Sequence, residues 1–128
     1  MNKILIIEDD KILLEMYKDE FVSEHFEVLT ANEGQEGIDK MKANKPDAIL
    51  LDIIMPKVNG YEFLKLVKGD PNLSKTPILV LTNVYTNADD LIKNWNVATV
   101  LMKSDNTPGN IVTKVKQFMG QKNPASSS

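Results

Sequence analysis

The sequence has no cysteine and no arginine; each of its 15 basic residues is a lysine. The first absence excludes disulfides and thiol chemistry and suits a reducing compartment. The second removes the planar guanidinium that reads bases and phosphates bidentately. With 18 acidic residues the net charge is −3, which argues against a nucleic-acid-binding module and its basic patch. Long hydrophobic runs are also missing. The apolar stretch at the N-terminus is short and runs into three acids, which fits neither a signal peptide nor a membrane span. A cytoplasmic protein with no membrane partner is therefore expected. The single histidine, His25, falls near a helix end and reads as surface.

What the chain has instead is a set of short apolar runs that each stop at a polar side chain. Ala48 to Leu51, bounded by Pro46 and Pro56, reads as a strand buried on both faces, as in a parallel sheet, and delivers Asp52 to its exit. Ligands of open parallel sheets bind in the crevice outside the carboxyl ends of the strands, so this placement suits chemistry. Taken alone, an Asp at a strand end is more often a turn or capping residue. Three further runs behave alike: Ile4 to Ile7 leads into Glu8, Asp9 and Asp10, Ile78 to Leu81 into Thr82, and Thr99 to Met102 into Lys103. If the strands are parallel, one sheet edge carries an acidic cluster, a central Asp, a hydroxyl and an ammonium. Such a set suits a divalent cation and a phosphoryl group.

Helical spacing fills the intervals. Ile12, Leu13, Met16, Tyr17 and Phe21 mark the inner face of a first helix ending near His25, and Ile38 and Met41 a second that stops before Pro46. Tyr61, Leu64 and Val67 mark a third, after a turn at Asn59-Gly60. Ala88, Leu91, Ile92 and Trp95 mark a fourth, with Tyr61 and Trp95 read as helix packing, and Ile111, Val112, Val115, Phe118 and Met119 a fifth. With a short second strand from Val28 to Ala31, five strands alternate with five helices. This order predicts one α/β domain over residues 1–120, a doubly wound five-stranded parallel sheet of order 2-1-3-4-5, flavodoxin-like, with helices on both faces. Residues 121–128 read as a disordered polar tail. The strand order puts Glu8 and Asp9 beside Asp52.

In this order and at these separations the motifs resemble the receiver domain of two-component response regulators, from Lys3 to about Met119. The resemblance implies that Asp52 accepts a phosphoryl group from a histidine kinase or a phosphotransfer protein, and that this switches the binding of an output partner. The domain would catalyse its own phosphorylation and slow dephosphorylation, without being an enzyme in any further sense. Mg²⁺ or Mn²⁺ would be held by Asp9 directly, by Glu8 through a water, by a free oxygen of Asp52 and by the backbone carbonyl of Ile54. Lys103 would pair with Asp52 at rest, and Lys103 and Thr82 would donate to the phosphoryl oxygens afterwards. Asp10 would be a bystander. The output surface would be built from the fourth helix, fifth strand and fifth helix and would include Trp95. A monomer or a weak phosphorylation-dependent dimer is implied.

Three positions depart from the family pattern. Val100 stands where an aromatic usually follows the movement of the Thr, and Asn83 where a small residue usually leaves room for the phosphoryl group. Ser104 replaces a proline joined through a cis peptide; without proline a cis bond costs about 3 kcal/mol, so a trans bond or a strained loop is expected. Ile54 and Val84, two positions after the acceptor and after the Thr, cannot hydrogen-bond an attacking water, which predicts slow loss of the phosphoryl group. Two rival readings stay open. One is a phosphorylation-independent interaction module on the same fold, against which Asp9, Asp52, Thr82 and Lys103 count. The other is a flavin carrier, whose phosphate the acidic trio would repel.

Overall fold

The computed structural model describes residues 1–53, 60–83 and 88–121. Its elements run β1 (Lys3–Ile7), α1 (Lys11–Ser23), β2 (Glu27–Ala31), α2 (Gly34–Asn44), β3 (Ala48–Asp52), α3 (Gly60–Lys68), β4 (Ile78–Thr82), α4 (Ala88–Asn94), β5 (Thr99–Met102), a 3₁₀ turn (Lys103–Asp105) and α5 (Pro108–Gln121). The strands form one parallel sheet in the order 2-1-3-4-5. No helix among the described residues is long and apolar enough to cross a membrane. Most of the expected polar tail, residues 122–128, lies outside the described residues; α5 itself runs through Gln121.

Side chains alternate across a strand, so each run feeds two cores. Ile4, Ile6, Leu50, Leu79 and Leu101 pack on one face against Leu14, Tyr17 and Phe21 of α1 and Ile111 and Val115 of α5. Leu5, Ile7, Leu51 and Val80 pack on the other against Met41 of α2, Phe63 of α3 and Leu91 of α4. Every residue of β3 and β4 is buried, which is why those runs show no polar alternation. At roughly 1.5–3 kcal/mol for each fully buried aliphatic side chain, this double layer supplies the main driving force of folding.

The inner faces of three helices differ from their apolar spacing. In α1 the buried residues are Leu14, Tyr17 and Phe21, while Ile12 is 81% exposed and Met16 41%. Apolar residues at 12, 13, 14, 16 and 17 cover more than half of the helix circumference, and only packing on the sheet decides which stripe turns inward. In α3 the inner residues are Gly60, Phe63, Leu64 and Val67, and Tyr61 is 37% exposed. In α4 only Leu91 is buried. Helix α1 ends at Ser23, near His25 as expected, and His25 lies just beyond it in the left-handed region at φ 68°.

Candidate functional site

Strand alternation decides which end residues meet. Glu8 is in phase with Ile4 and Ile6, Asp52 with Ala48 and Leu50, and Lys103 with Leu101, all on the α1/α5 side of the sheet. The three side chains come together at the carboxyl edge. The Lys103 ammonium lies 2.8 Å from Glu8 Oε1 and 3.3 Å from Asp52 Oδ2, and it donates a hydrogen bond to the latter. Its contact with Glu8 is an ion pair. The Asp10 amide donates to Glu8 Oε2 at 3.1 Å. Glu8 is thereby held 2% exposed, and Asp52 is buried beside it. Pairing of Lys103 with Asp52 matches the expectation from the sequence; the closer pairing with Glu8 does not.

Asp9 points outward from the same loop and is exposed. Glu8, Asp9 and Asp52 each offer one carboxylate oxygen, all within 4.8 Å of one another. Asp10 serves the fold, since its Oδ1 accepts from the amides of Ile12 and Leu13 at 2.9 and 3.1 Å and so caps α1. Thr82 is buried at the end of β4, opposite Met102, and alternation assigns it to the other face, with Ile78 and Val80. Asn83 is exposed beside it. Ile54 and Val84, as well as Asn59, lie outside the described residues. Val100 is half-buried against the α2/α3/α4 core. No peptide bond among the described residues is cis, so Lys103–Ser104 is trans as expected, and the chain turns through a 3₁₀ turn fastened by Asn106 Nδ2 donating to Met102 O at 2.9 Å.

The electrostatics follow from burying two carboxylates beside one ammonium. Burial pushes Glu8 up; Lys103 pulls it back and Asp52 repels it, and burial prevails, leaving Glu8 at about 7. For Lys103, burial acts downward but is outweighed by Glu8 and Asp52, which hold the ammonium above its ordinary value. Burial also pushes up the Tyr17 hydroxyl, on which Lys103, Glu8 and Asp52 act as well.

The family model for the response regulator receiver domain matches residues 4–115. The chain belongs to that family. It is a receiver domain of two-component signalling, and the relatives agree with this. The polar-differentiation response regulator DivK of Brucella anthropi is 27% identical over 120 residues, covering 93% of this chain and 97% of that protein. Chemotaxis protein CheY4 of Vibrio cholerae superposes with a TM-score of 0.83 at 27% identity, over 91% of this chain and 98% of that one. A CheY-like receiver domain protein from Methanospirillum hungatei gives a TM-score of 0.84 at 25% identity, with 98% of both chains covered.

A divalent cation fits the donor set. Mg²⁺ prefers an octahedron of oxygen ligands and keeps several waters, so Asp9 and Asp52 as direct ligands with Glu8 reached through a water suit a cluster whose oxygens lie within 4.8 Å of one another. Proton competition follows from the Glu8 value. A metal needs the deprotonated carboxylate, so Mg²⁺ affinity is expected to rise with pH through about 7, roughly tenfold between pH 6 and pH 8, and to level off above. Calorimetric titrations at the two pH values check this, and Glu8→Gln is expected to flatten the dependence.

Proposed function

We propose that Asp52 is the phosphoacceptor of this receiver domain and that its modification switches the binding of a partner. The observation that supports this is the convergence of Asp52, Glu8 and Lys103 at one sheet edge, with Asp9 at the rim. A carboxylate oxygen of Asp52 attacks the phosphorus of a phosphohistidine on a kinase or phosphotransfer protein. The P–N bond breaks, and the imidazole nitrogen leaves and takes up a proton. Such transfers demand little beyond positioning and charge neutralisation. Lys103 already faces the Asp52 oxygen and follows the transferred group, and Thr82, at the end of the neighbouring strand, donates its hydroxyl.

Asp9 and Asp52 would hold the cation, Mg²⁺ or Mn²⁺, with Glu8 acting through a water, and the ion would supply charge neutralisation for the phosphoryl oxygens. The Ile54 carbonyl completes the set by resemblance to the family. The protein works in the cytoplasm, and phosphorylation of Asp52 switches its binding of an output partner.

Incubation with acetyl phosphate and Mg²⁺ is expected to add one phosphoryl group, mapped by peptide mass spectrometry to Asp52. An adduct elsewhere, or none, would remove the basis of the proposal. Once formed, the acyl phosphate is expected to be long-lived, because Ile54 and Val84 offer no hydrogen bond to an attacking water. Replacing both with polar residues (Ile54→Asn, Val84→Glu) is expected to speed phosphate release about tenfold or more, as positioned nucleophiles react faster. Equal or slower release would show that these side chains do not gate the water.

A further inference from the structure

Lys103 reaches the site from the edge of the sheet. Strand β5 is outermost and pairs with β4 alone, so the end from which Lys103 springs is held by the ladder on one side only. Its ammonium nevertheless stands 2.8 Å from Glu8 Oε1 and 3.3 Å from Asp52 Oδ2, across the end of β4. A lysine carries its nitrogen about 6 Å from its Cα, so a rotation of about 10° at the Cα moves the ammonium about 1 Å. A misplacement of that size can cost about 10²-fold in rate. The aim of Lys103 therefore depends on how firmly the backbone before it is fixed.

A proline after the lysine would restrict that backbone, but Ser104 stands there, and its φ is not locked by a ring. Ser104 and Asp105 are both exposed, while Asn106 is half-buried and turns back. Its Nδ2 donates to Met102 O at 2.9 Å and so ties together the two ends of the 3₁₀ turn. The Met102 carbonyl belongs to the peptide unit that joins Met102 to Lys103. Because that unit is planar, holding its oxygen also orients the Lys103 amide, the base from which the side chain starts. Asn106 is anchored from its other side by the start of α5. Thr107 Oγ1 accepts from the Asn110 amide at 3.1 Å, and Thr107 O accepts from the amide of Ile111, a fully buried residue, at 3.1 Å. A strut thus runs from the α1/α5 core through Asn106 to the Lys103 peptide.

We propose that Asn106 is a positioning residue for phosphorylation, whose side-chain amide holds the Met102–Lys103 peptide unit so that the ammonium stays aimed at Asp52. This rests on Asp52 being the phosphoacceptor. Asparagine suits the place because its NH₂ group donates to a carbonyl, whereas the carboxylate of an aspartate has no proton to give and would oppose oxygen to oxygen.

The test follows phosphorylation of the full chain by acetyl phosphate and Mg²⁺ with intact mass; the Asp52 carboxylate attacks phosphorus and acetate leaves. Asn106→Ala and the nearly isosteric Asn106→Asp are both expected to be phosphorylated about tenfold more slowly than the parent, less than the loss for a full 1 Å misplacement. In a Lys103→Met background Asn106→Ala is expected to slow the reaction no further, because no ammonium is left to aim. A role in folding alone would slow both backgrounds alike. Urea unfolding followed by Trp95, the sole tryptophan, which packs on the opposite face of the sheet, establishes that each variant is folded where its rate is measured. If the alanine variant does not fold, the aspartate variant carries the same comparison. Phosphorylation of both variants at the parent rate, or equal slowing with and without Lys103, overturns the assignment and leaves the phosphoacceptor reading intact. A parent protein that takes up no phosphoryl group overturns both.

Discussion

Lys103→Met is expected to slow phosphorylation of Asp52 by acetyl phosphate by roughly 10²–10³-fold, the usual cost of removing one donor aimed at developing charge. The ammonium sits 2.8 Å from Glu8 and 3.3 Å from Asp52. Its loss therefore leaves two buried carboxylates facing each other. That repulsion costs stability only while both are ionised. Breaking a buried pair costs about 3–5 kcal/mol when the remaining charge cannot escape, but here Glu8 can take up a proton, so about 2–3 kcal/mol is expected at pH 8. Near pH 5, where Glu8 is protonated, the cost should be smaller, because the repulsion is gone and only the Lys103 contact with Asp52 is lost. The direction follows from linkage. In the parent Glu8 already has its value raised to about 7, from 4.5, so its protonated form contributes stability below pH 4.5 that is lost as pH rises through about 7. Removing Lys103 raises Glu8 further and steepens that loss. Denaturant titrations at the two pH values, alongside phosphorylation followed by intact mass, check both parts. Lys103→Arg keeps the charge in a different shape and is expected to restore stability more fully than rate. Equal phosphorylation of Lys103→Met and the parent would exclude Lys103 from the chemistry.

The sheet was legible in the sequence almost to the residue, and the reason is physical. A strand buried on both faces must be apolar throughout, so β3 and β4 stand out as uninterrupted runs, and a polar residue marks where each leaves the core. The helix faces were less legible. Each helix has one buried stripe, but α1 carries apolar residues at neighbouring angles, and nothing local distinguishes Leu14, which packs, from Ile12, which does not. The site was legible as a set of residues but not as a set of contacts. Strand order puts Glu8 beside Asp52, yet the pairing of Lys103 with Glu8 depends on a long side chain reaching across from β5 past β4 and β3. Alternation along the strands was the missed signal, since it puts Glu8, Asp52 and Lys103 on one face and Thr82 on the other. The 3₁₀ turn at Lys103 had no signal in periodicity, because three residues are too few to show one.

Gly60→Ala is expected to be the most damaging alanine substitution among the described glycines, and for a reason that differs from the turn role its Asn59-Gly60 context suggests. No glycine among the described residues has a positive φ, so conformational freedom is not what position 60 requires. Space is. A Cβ there would stand 2.5 Å from Ile53 Cα and 2.7 Å from Ile53 O, which are backbone atoms and cannot swing aside. The Gly60 amide donates to that same carbonyl at 2.8 Å, so α3 is fastened to the residue that follows Asp52. Overpacking of this kind costs typically about 1–3 kcal/mol, and the better helix propensity of alanine, worth up to about 1 kcal/mol, offsets part of it. A net loss of about 2 kcal/mol is expected. Because Ile53 has to shift, phosphorylation of Asp52 should slow as well. Two other glycines supply the scale. At Gly37 the closest atom is Ile7 Cδ1 at 2.5 Å, the far end of a flexible side chain, so Gly37→Ala should cost less. At Gly109 nothing lies closer than 3.9 Å, so Gly109→Ala should be neutral or slightly stabilising. Thermal or urea unfolding of the three variants is expected to rank them Gly60→Ala, Gly37→Ala, Gly109→Ala in order of decreasing damage. A Gly60→Ala protein as stable and as readily phosphorylated as the parent would mean that α3 is not held against Ile53 by the close backbone approach described above.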